Sequence, residues 1–459
     1  MTNHRSWAER VALALVATAT VVAAGCDFTV TNPGPVADAN LDSLGTFAAR
    51  RALVTGARRQ LSLILGAVPA DGYGVAYWSA AAAFEINPAG STGSWGIPPA
   101  LQVGDLRADD SPWSGAQQAR WIAEDAVRRF QARGVPEDSL FATLELWAGY
   151  ANRLLGENFC DAVIDGGPKE PVTTYFTRAE AHFTEALRIA QAATFKTAAN
   201  QASVVNAAYA GRASVRADLA TWTSNNAATW ANAVADANAV TSNTYTWQMP
   251  FYDQDVNQSN SVYWSIGNSP YRAHTEWGTY YEDYFRTTKD PRAQWDSTAL
   301  RGDAAVQKFA SYPNVVNSRV PFYPEGKYRA RGSSINLSSG WEMRLLEAEY
   351  ALAVNNDAAT AVAKMNLRRT SLSLPLLTVS TVDQAWTDLK RERMMELWLE
   401  ARRLGDLRRW DVSGAPGQAM DGVWVTGESS PRETMTSPVV RALCWPISTG
   451  EMQTNPNLR

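Results

Sequence analysis

The stretch 391–410, "RERMMELWLEARRLGDLRRW", packs acids and bases densely into a chain of which only 19% of residues are charged. On a helix, Met394, Leu397, Trp398, Ala401 and Leu404 recur at three- and four-residue steps and form one apolar stripe. Glu392, Glu396 and Glu400 form a second row, and Arg393, Arg402, Arg403, Arg408 and Arg409 stand close enough for pairing along the helix. Acids towards the start and arginines towards the end also suit the helix dipole. The mixed signs disfavour a helix that reads nucleic acid, whose contact face would be basic. Paired charges that lock helices together account for the pattern more simply than a catalytic carboxylate cluster.

The same helical period extends outward over 47–65, 117–132, 140–156, 176–192, 202–222, 228–240, 341–353, 359–370 and 385–410. "RAEAHFTEALRIA", "NAAYAGRASVRADLA" and "TWANAVADANAV" alternate small alanines with bulky residues, a texture that lets helices approach closely. It is the texture of helix-turn-helix repeats, although no strict period recurs and alanine-rich helices also occur without repeats. Residues 241–340 differ. Alanine thins out, and aromatic, Asn, Gly and Pro residues take over, which predicts a long loop-rich insertion. The tail 411–459 is irregular, with "CWPIS" suggesting one short strand.

The N-terminus reads as an export signal. Arg5 and Arg10 precede the apolar run 11–24, and Ala23-Ala24-Gly25-Cys26 ends it in a lipobox-like site, with Ala23 where Leu is usual. The run is too short to span a bilayer comfortably, so cleavage before Cys26 and lipidation of that cysteine are expected. Removing residues 1–25 takes away Arg5, Arg10 and Glu9, leaving 42 − 2 = 40 basic and 46 − 1 = 45 acidic residues, a net charge of −5. Such a body repels phosphate backbones, which argues against nucleic acid. Cys160 and Cys444 remain. In an exported protein a disulfide between them is possible, but residues so far apart in sequence need not meet, and two free buried thiols is the simpler expectation.

Several stretches together carry a resemblance. Glu392, Arg393, Glu396-Leu397, Glu400, Arg403 and Asp406 to Trp410 resemble the "ER..EL..EG.R..DLRRW" signature of the SusD/RagB family of outer-membrane nutrient-binding lipoproteins, with Ala401 in place of a frequent glycine. The order is kept by "CDFTVTNPG" at the lipoprotein start, "KDPR" at 289–292, "LLEAEYALA" at 345–353, "MNLRRT" at 365–370 and "WPISTGEMQTNPNL" at 445–458. The resemblance implies an all-α, tetratricopeptide-like scaffold with irregular loops forming the ligand side. It also implies a lid on a SusC-like TonB-dependent outer-membrane transporter, binding oligosaccharides or peptides and handing them over without catalysis. The expected organisation is a signal peptide (1–25), a lipidated tether (26–45) and a single SusD-like domain (46–459). Within that domain the scaffold covers 46–240 and 341–410, and the insertion 241–340 faces the ligand. The expected location is the outer membrane, lipid-anchored and facing the cell surface.

Sugar binding calls for aromatic faces, since C–H faces stack on rings while hydroxyls bond to polar neighbours. Between 245 and 285, twelve of 41 residues are aromatic, about 29% against 10% for the chain. Trp264 and Trp277 are the leading candidates from this stretch, with Tyr263 and Tyr280. Trp95 and Tyr73 come from a second, Gly- and Pro-rich set that also holds Tyr77, Trp78 and Trp113. Loop aromatics also build small satellite cores, which is the competing reading of each. Asp253, Asp255 and Asn257 begin like a calcium loop, but Gln258 and Trp264 stand where the turn glycine and bidentate Glu belong, so no EF-hand is expected.

Catalysis lacks its usual parts. After the signal only His182 and His274 remain, the first expected in packing or at the surface, the second near ligand. There is no HExxH, GxSxG or Walker loop, and no cofactor or metal is expected. Two alternatives to a binding lipoprotein stand. A tetratricopeptide-like envelope adaptor would use a helical groove, and a carbohydrate-active hydrolase would need only two carboxylates.

Overall fold

A computed structural model of the chain describes residues 46–67, 74–88, 106, 112–264, 274–296, 323–420, 423–424, 435–436 and 442–459. Arg51–Arg459 form one compact unit; the other, Met1–Arg50, falls almost wholly outside the described residues, as do Cys26, Tyr73 and Trp95.

The described residues hold thirteen α-helices and only short strands, so the all-helical expectation is met. The helices are α1 (Phe47–Gly66), α2 (Val75–Ala82), α3 (Trp113–Ala132), α4 (Ser139–Asn158), α5 (Thr173–Ala192), α6 (Ala198–Trp222) and α7 (Ala227–Ala239). After them come α8 (Tyr280–Thr288), α9 (Gly340–Ala353), α10 (Ala358–Ser371), α11 (Val382–Glu396), α12 (Arg403–Ser413) and α13 (Thr449–Thr454). Starts follow capping chemistry. Asp138 accepts from Leu140 N and Phe141 N, Thr197 from Asn200 N, Ser339 from Glu342 N and Thr381 from Gln384 N, each satisfying amides that the helix leaves open.

From α3 to α7, and again from α9 to α11, each helix packs on the next. α3 lies on α4, α4 on α5, α5 on α6 and α6 on α7; α7 then meets α9, which packs on α10 and α11. This is the stacked-hairpin order of a tetratricopeptide-like scaffold. The closest approaches use glycine rather than alanine. A Cβ on Gly149 of α4 would fall 2.7 Å from the Phe183 ring of α5, one on Gly211 of α6 2.4 Å from the same ring, and one on Gly156 2.5 Å from Phe176.

The insertion leaves after α7 and returns at α9. Strands β1 (Thr246–Met249) and β2 (Ile335–Ser339) pair antiparallel, from Thr246↔Ser339 to Met249↔Ile335, and zip its root closed.

The stretch 385–410 is not one helix. α11 stops at Glu396, the chain turns through 397–402 with Leu399 at φ 60° and Ala401 at φ 62°, and α12 restarts at Arg403. The periodicity hides this break, because the turn residues are themselves buried and neither Gly nor Pro marks it. The turn is held by outside partners: the Trp398 ring stacks on Tyr281 at 4.7 Å, and Leu399 N donates to Glu85 Oε1 at 3.2 Å. Ala401 occupies a left-handed conformation, which glycine would adopt without a Cβ penalty.

The charges also pair differently from the expectation. Most reach across the fold rather than along the helix. Arg393 forks onto Asp406 with two 2.9 Å bonds, and Arg409 onto Glu349 at 2.5 and 2.8 Å. Arg402 bonds Glu342 at 2.8 Å and forms an ion pair with Glu157 at 3.0 Å. Glu392 takes Arg292 and Arg369, Glu396 takes Arg368, and Glu400 takes Lys327. Burial opposes ionisation of Asp406, but Arg393 and Arg409 outweigh it and hold the carboxyl at about 2.

Cys160 and Cys444 are joined in a disulfide, against the simpler expectation of two free thiols. Backbone pairing brings them together. Cys160 N donates to Trp445 O and Trp445 N to Asn158 O, both at 2.8 Å, so "CWPIS" forms a single parallel bridge beside the end of α4.

Candidate functional site

The insertion is pinned to the scaffold around α8. Thr279 caps the helix by accepting from Glu282 N at 3.3 Å, and Lys289, left-handed at φ 57°, ends it. "KDPR" then makes the anchor: Arg292 grips Asp290 and crosses to Glu392 of α11 at 2.7 Å, while Tyr284 OH donates to Asp290 at 3.3 Å. The motif is thus a rivet between insertion and scaffold, with Arg292 buried.

Above this anchor lies a partly exposed aromatic face. The Thr275 hydroxyl accepts from the backbone N–H of both Trp277, at 3.1 Å, and Tyr323, at 2.8 Å. Tyr323 stacks on Trp295 with ring centres 4.6 Å apart and planes 10° from parallel, and Phe285 meets Trp295 edge-on at 5.9 Å. Trp295 is oriented by its Nε1–H, which donates to Glu282 O at 3.1 Å, and the Arg286 guanidinium lies 5.5 Å from its ring centre. Trp277, Tyr280, Phe285, Trp295 and Tyr323 all keep part of their surface in solvent. Locked rings of this kind, with cations and backbone groups beside them, offer stacking surface at little cost in side-chain entropy.

Of the sequence candidates, Trp277 is tied to this face through its backbone N–H on Thr275, while Tyr280 opens α8 and stacks on Tyr284 at 5.9 Å. Tyr263 and Trp264 lie elsewhere, where Asn260 is held against residues 331–333 by Asn260 N to Arg331 O at 2.7 Å and Asn260 Nδ2 to Ser333 O at 2.9 Å. Trp264 is only 9% exposed, and the Arg331 guanidinium covers its ring at 4.5 Å. A ligand stacking there must first displace that arginine. Phe251, Tyr281 and Tyr284 are buried, and for them the satellite-core reading holds. Trp295 and Tyr323 were missed, because aromatic enrichment falls off after 285 and nothing in the intervening sequence shows that residues 28 apart will stack.

The titratable groups beneath the face serve the backbone. Glu85, Glu276, Glu282 and Glu325 are all buried. Glu325 accepts from Lys327 N and Tyr328 N at 2.5 and 2.8 Å, and Glu282 from Gly278 N at 2.6 Å. Burial raises the Glu85 carboxyl, and Arg403 pulls it only part of the way back, to about 7; burial and the neighbouring Glu325 push Glu276 well above the carboxylate range. As they stand, none reaches solvent in the way that a glycosidase pair flanking a scissile bond requires. His274, expected near ligand, is instead buried against Tyr77, 2.6 Å from its hydroxyl, and burial lowers its pKa to about 3. Asp255 caps the turn at Asn257 N, and Asp253 accepts from Gly332 N. Among the described residues no group of three or more His, Cys, Asp or Glu side chains is placed to hold a metal ion, and no helix is long and apolar enough to cross a membrane.

Comparison with known proteins agrees with the fold. A sequence model described as the SusD family matches residues 195–459. No curated protein matches the chain by sequence. Among solved structures, surface glycan-binding protein A from Bacteroides uniformis superposes with a TM-score of 0.65 at 14% identity, over 90% of this chain and 99% of that one. A laminarin-binding SusD-like protein gives 0.62 at 14% identity, over 89% and 99%. A SusD superfamily protein from Parabacteroides distasonis gives 0.61 at 14% identity, over 90% and 98%. At such identity the likeness establishes a shared fold.

Proposed function

The chain belongs to the SusD family, and from that premise we propose that it binds oligosaccharides on the aromatic face of its insertion and releases them unchanged. It does so as an outer-membrane lipoprotein, anchored through Cys26 and working as the lid of a SusC-like TonB-dependent transporter. The observation that carries the binding reading is the hydroxyl of Thr275, which fixes Trp277 beside Tyr323, whose ring extends onto Trp295. Two structural relatives are described by what they bind, a surface glycan-binding protein and a laminarin-binding protein, and glycan is the ligand class they suggest here. Sugar rings stack on such faces, and the flanking Arg286 and exposed backbone supply hydroxyl partners. The lipobox-like cysteine and the disulfide both suit an exported protein.

The test is calorimetric titration with neutral glucan, xylan and mannan oligomers, alongside a peptide panel. Saturable binding to a glycan, weakened by about 1–3 kcal/mol in Trp277→Ala and in Trp295→Ala with folding intact, supports the reading. Peptide binding alone changes the ligand class, and binding that ignores both substitutions moves the site off this face. Cys26→Ala releases the protein from the membrane fraction if the anchor is a lipid; a variant that stays there as a full-length chain overturns that part.

A further inference from the structure

A second recess lies between α1 and the root of the insertion, away from the rings of Trp277 and Trp295. It is a cleft of about 140 Å³, lined on one side by Arg58, Arg59 and Ser62 and on the other by Pro250, Tyr252 and Gln258. That volume is close to the cavity size known to admit a single six-membered ring, and smaller than a pocket that swallows a whole ligand. It suits one residue of a polymer. The helical period places residues 58, 59 and 62 on one face of α1, and β1 delivers the chain to Tyr252, which is 45% exposed.

The charge arrangement points to the ligand. Arg58 is half-buried, and among the described residues it has no carboxylate partner. Its neighbour Arg59 is exposed and is felt by Asp255, whose carboxyl is held below its ordinary range first by Gln258, then by Asn257 N, and more weakly by Arg59. Gln258 Nε2 donates to Asp255 at 2.7 Å, which leaves the Gln258 amide oxygen to accept from a hydroxyl. Elsewhere the fold pairs its half-buried arginines with care, as at Arg212 with Asp236 and Arg368 with Glu396. Among the described residues Arg58 lacks such a partner, as does half-buried Arg331, whose guanidinium instead covers Trp264.

We propose that this cleft binds a negatively charged pyranose, a uronate or a sulfated sugar, as one unit of a longer glycan. The anion sits on the guanidinium of Arg58, the ring packs on Tyr252, and Ser62 and Gln258 take hydroxyls. The inference rests on the glycan-binding reading above and narrows its substrate class to acidic glycans.

Calorimetry on the purified full chain tests it with four probes: an oligogalacturonate, a sulfated galactan oligomer, a neutral galactan oligomer of the same length, and polyglutamate. The acidic saccharides are expected to bind at least tenfold more tightly than the neutral one, less so as salt is added. Arg58→Gln should abolish that preference while leaving thermal unfolding unchanged, and Arg58→Lys should restore only part of it for the uronate, whose flat carboxylate matches a guanidinium fork. Which acidic oligomer binds better identifies the anion. Equal affinity for neutral and acidic oligomers, an unchanged preference in Arg58→Gln, or polyglutamate binding as tightly as the saccharides would overturn the proposal. Neutral glycan binding that depends on Trp277 and ignores Arg58 leaves the broader function standing and removes this one; binding of no saccharide removes both.

Discussion

The ring of Phe183 in α5 lies so close to Gly211 in α6 that a Cβ on the glycine would come within 2.4 Å of it. A glycine inside a helix ordinarily costs about 1 kcal/mol relative to alanine. Here the sign reverses, because the added methyl meets a ring that Gly149 of α4 also closely approaches. Gly211→Ala is expected to destabilise the protein by about 1–3 kcal/mol, read from urea unfolding. A stabilised variant would show that the helices part without penalty.

His182 reports on pH. Burial opposes its charge, but Glu124 and Glu145 outweigh burial and raise the imidazole to about 9, with Nδ1 2.6 Å from Glu145. The folded pKa lies above the unfolded value of 6.5, so the contribution is complete below about 6.5 and disappears as pH rises through about 9. His182→Gln should therefore lose up to about 3 kcal/mol at pH 6 and much less at pH 10. Equal losses at both pH values would mean that the charged imidazole adds nothing.

Ala401 sits at φ 62° with its methyl buried. Relief of left-handed strain offsets the lost methyl, so Ala401→Gly is expected to change stability by less than about 0.5 kcal/mol. Ala351→Gly, at a buried position within α9, should cost about 1 kcal/mol or more. Equal penalties at the two positions would remove the conformational account of the turn.

The disulfide closes a loop between residues 284 apart in sequence. Cys160→Ala with Cys444→Ala should lower stability by about 2–4 kcal/mol, visible as an earlier thermal transition. No shift between the intact protein and the double variant would make the backbone pairing at Trp445 sufficient by itself.

Most of the scaffold was legible, because helical periodicity and capping residues are local signals: Asp138, Thr197 and Ser339 each stand just before the helix they start. The break after Glu396 was not, since Leu399 and Ala401 satisfy the apolar stripe equally well in a turn and their reasons for turning, Tyr281 and Glu85, come from distant chain. The face around Trp277 was partly legible as aromatic density. Its continuation through Tyr323 and Trp295 depends on a pairing that only the folded chain creates, as does the cover that Arg331 places on Trp264. Arg58 carried no signal beyond being an arginine on a helix; what marks it is its place in the lining of a cleft beside Tyr252 and Gln258.

The last helices carry a consequence for the order of events during synthesis. Glu342 and Glu349 are buried acids whose cations, Arg402 and Arg409, each lie 60 residues further along the chain, 402 − 342 and 409 − 349. An uncompensated buried charge costs about 3–5 kcal/mol, so a growing chain that has not yet reached residue 402 gains little by closing its middle helices over these carboxylates. Completion of the scaffold is deferred until nearly all of the polypeptide has emerged. A product truncated before α12 should accordingly remain open to proteases, however complete its earlier helices are.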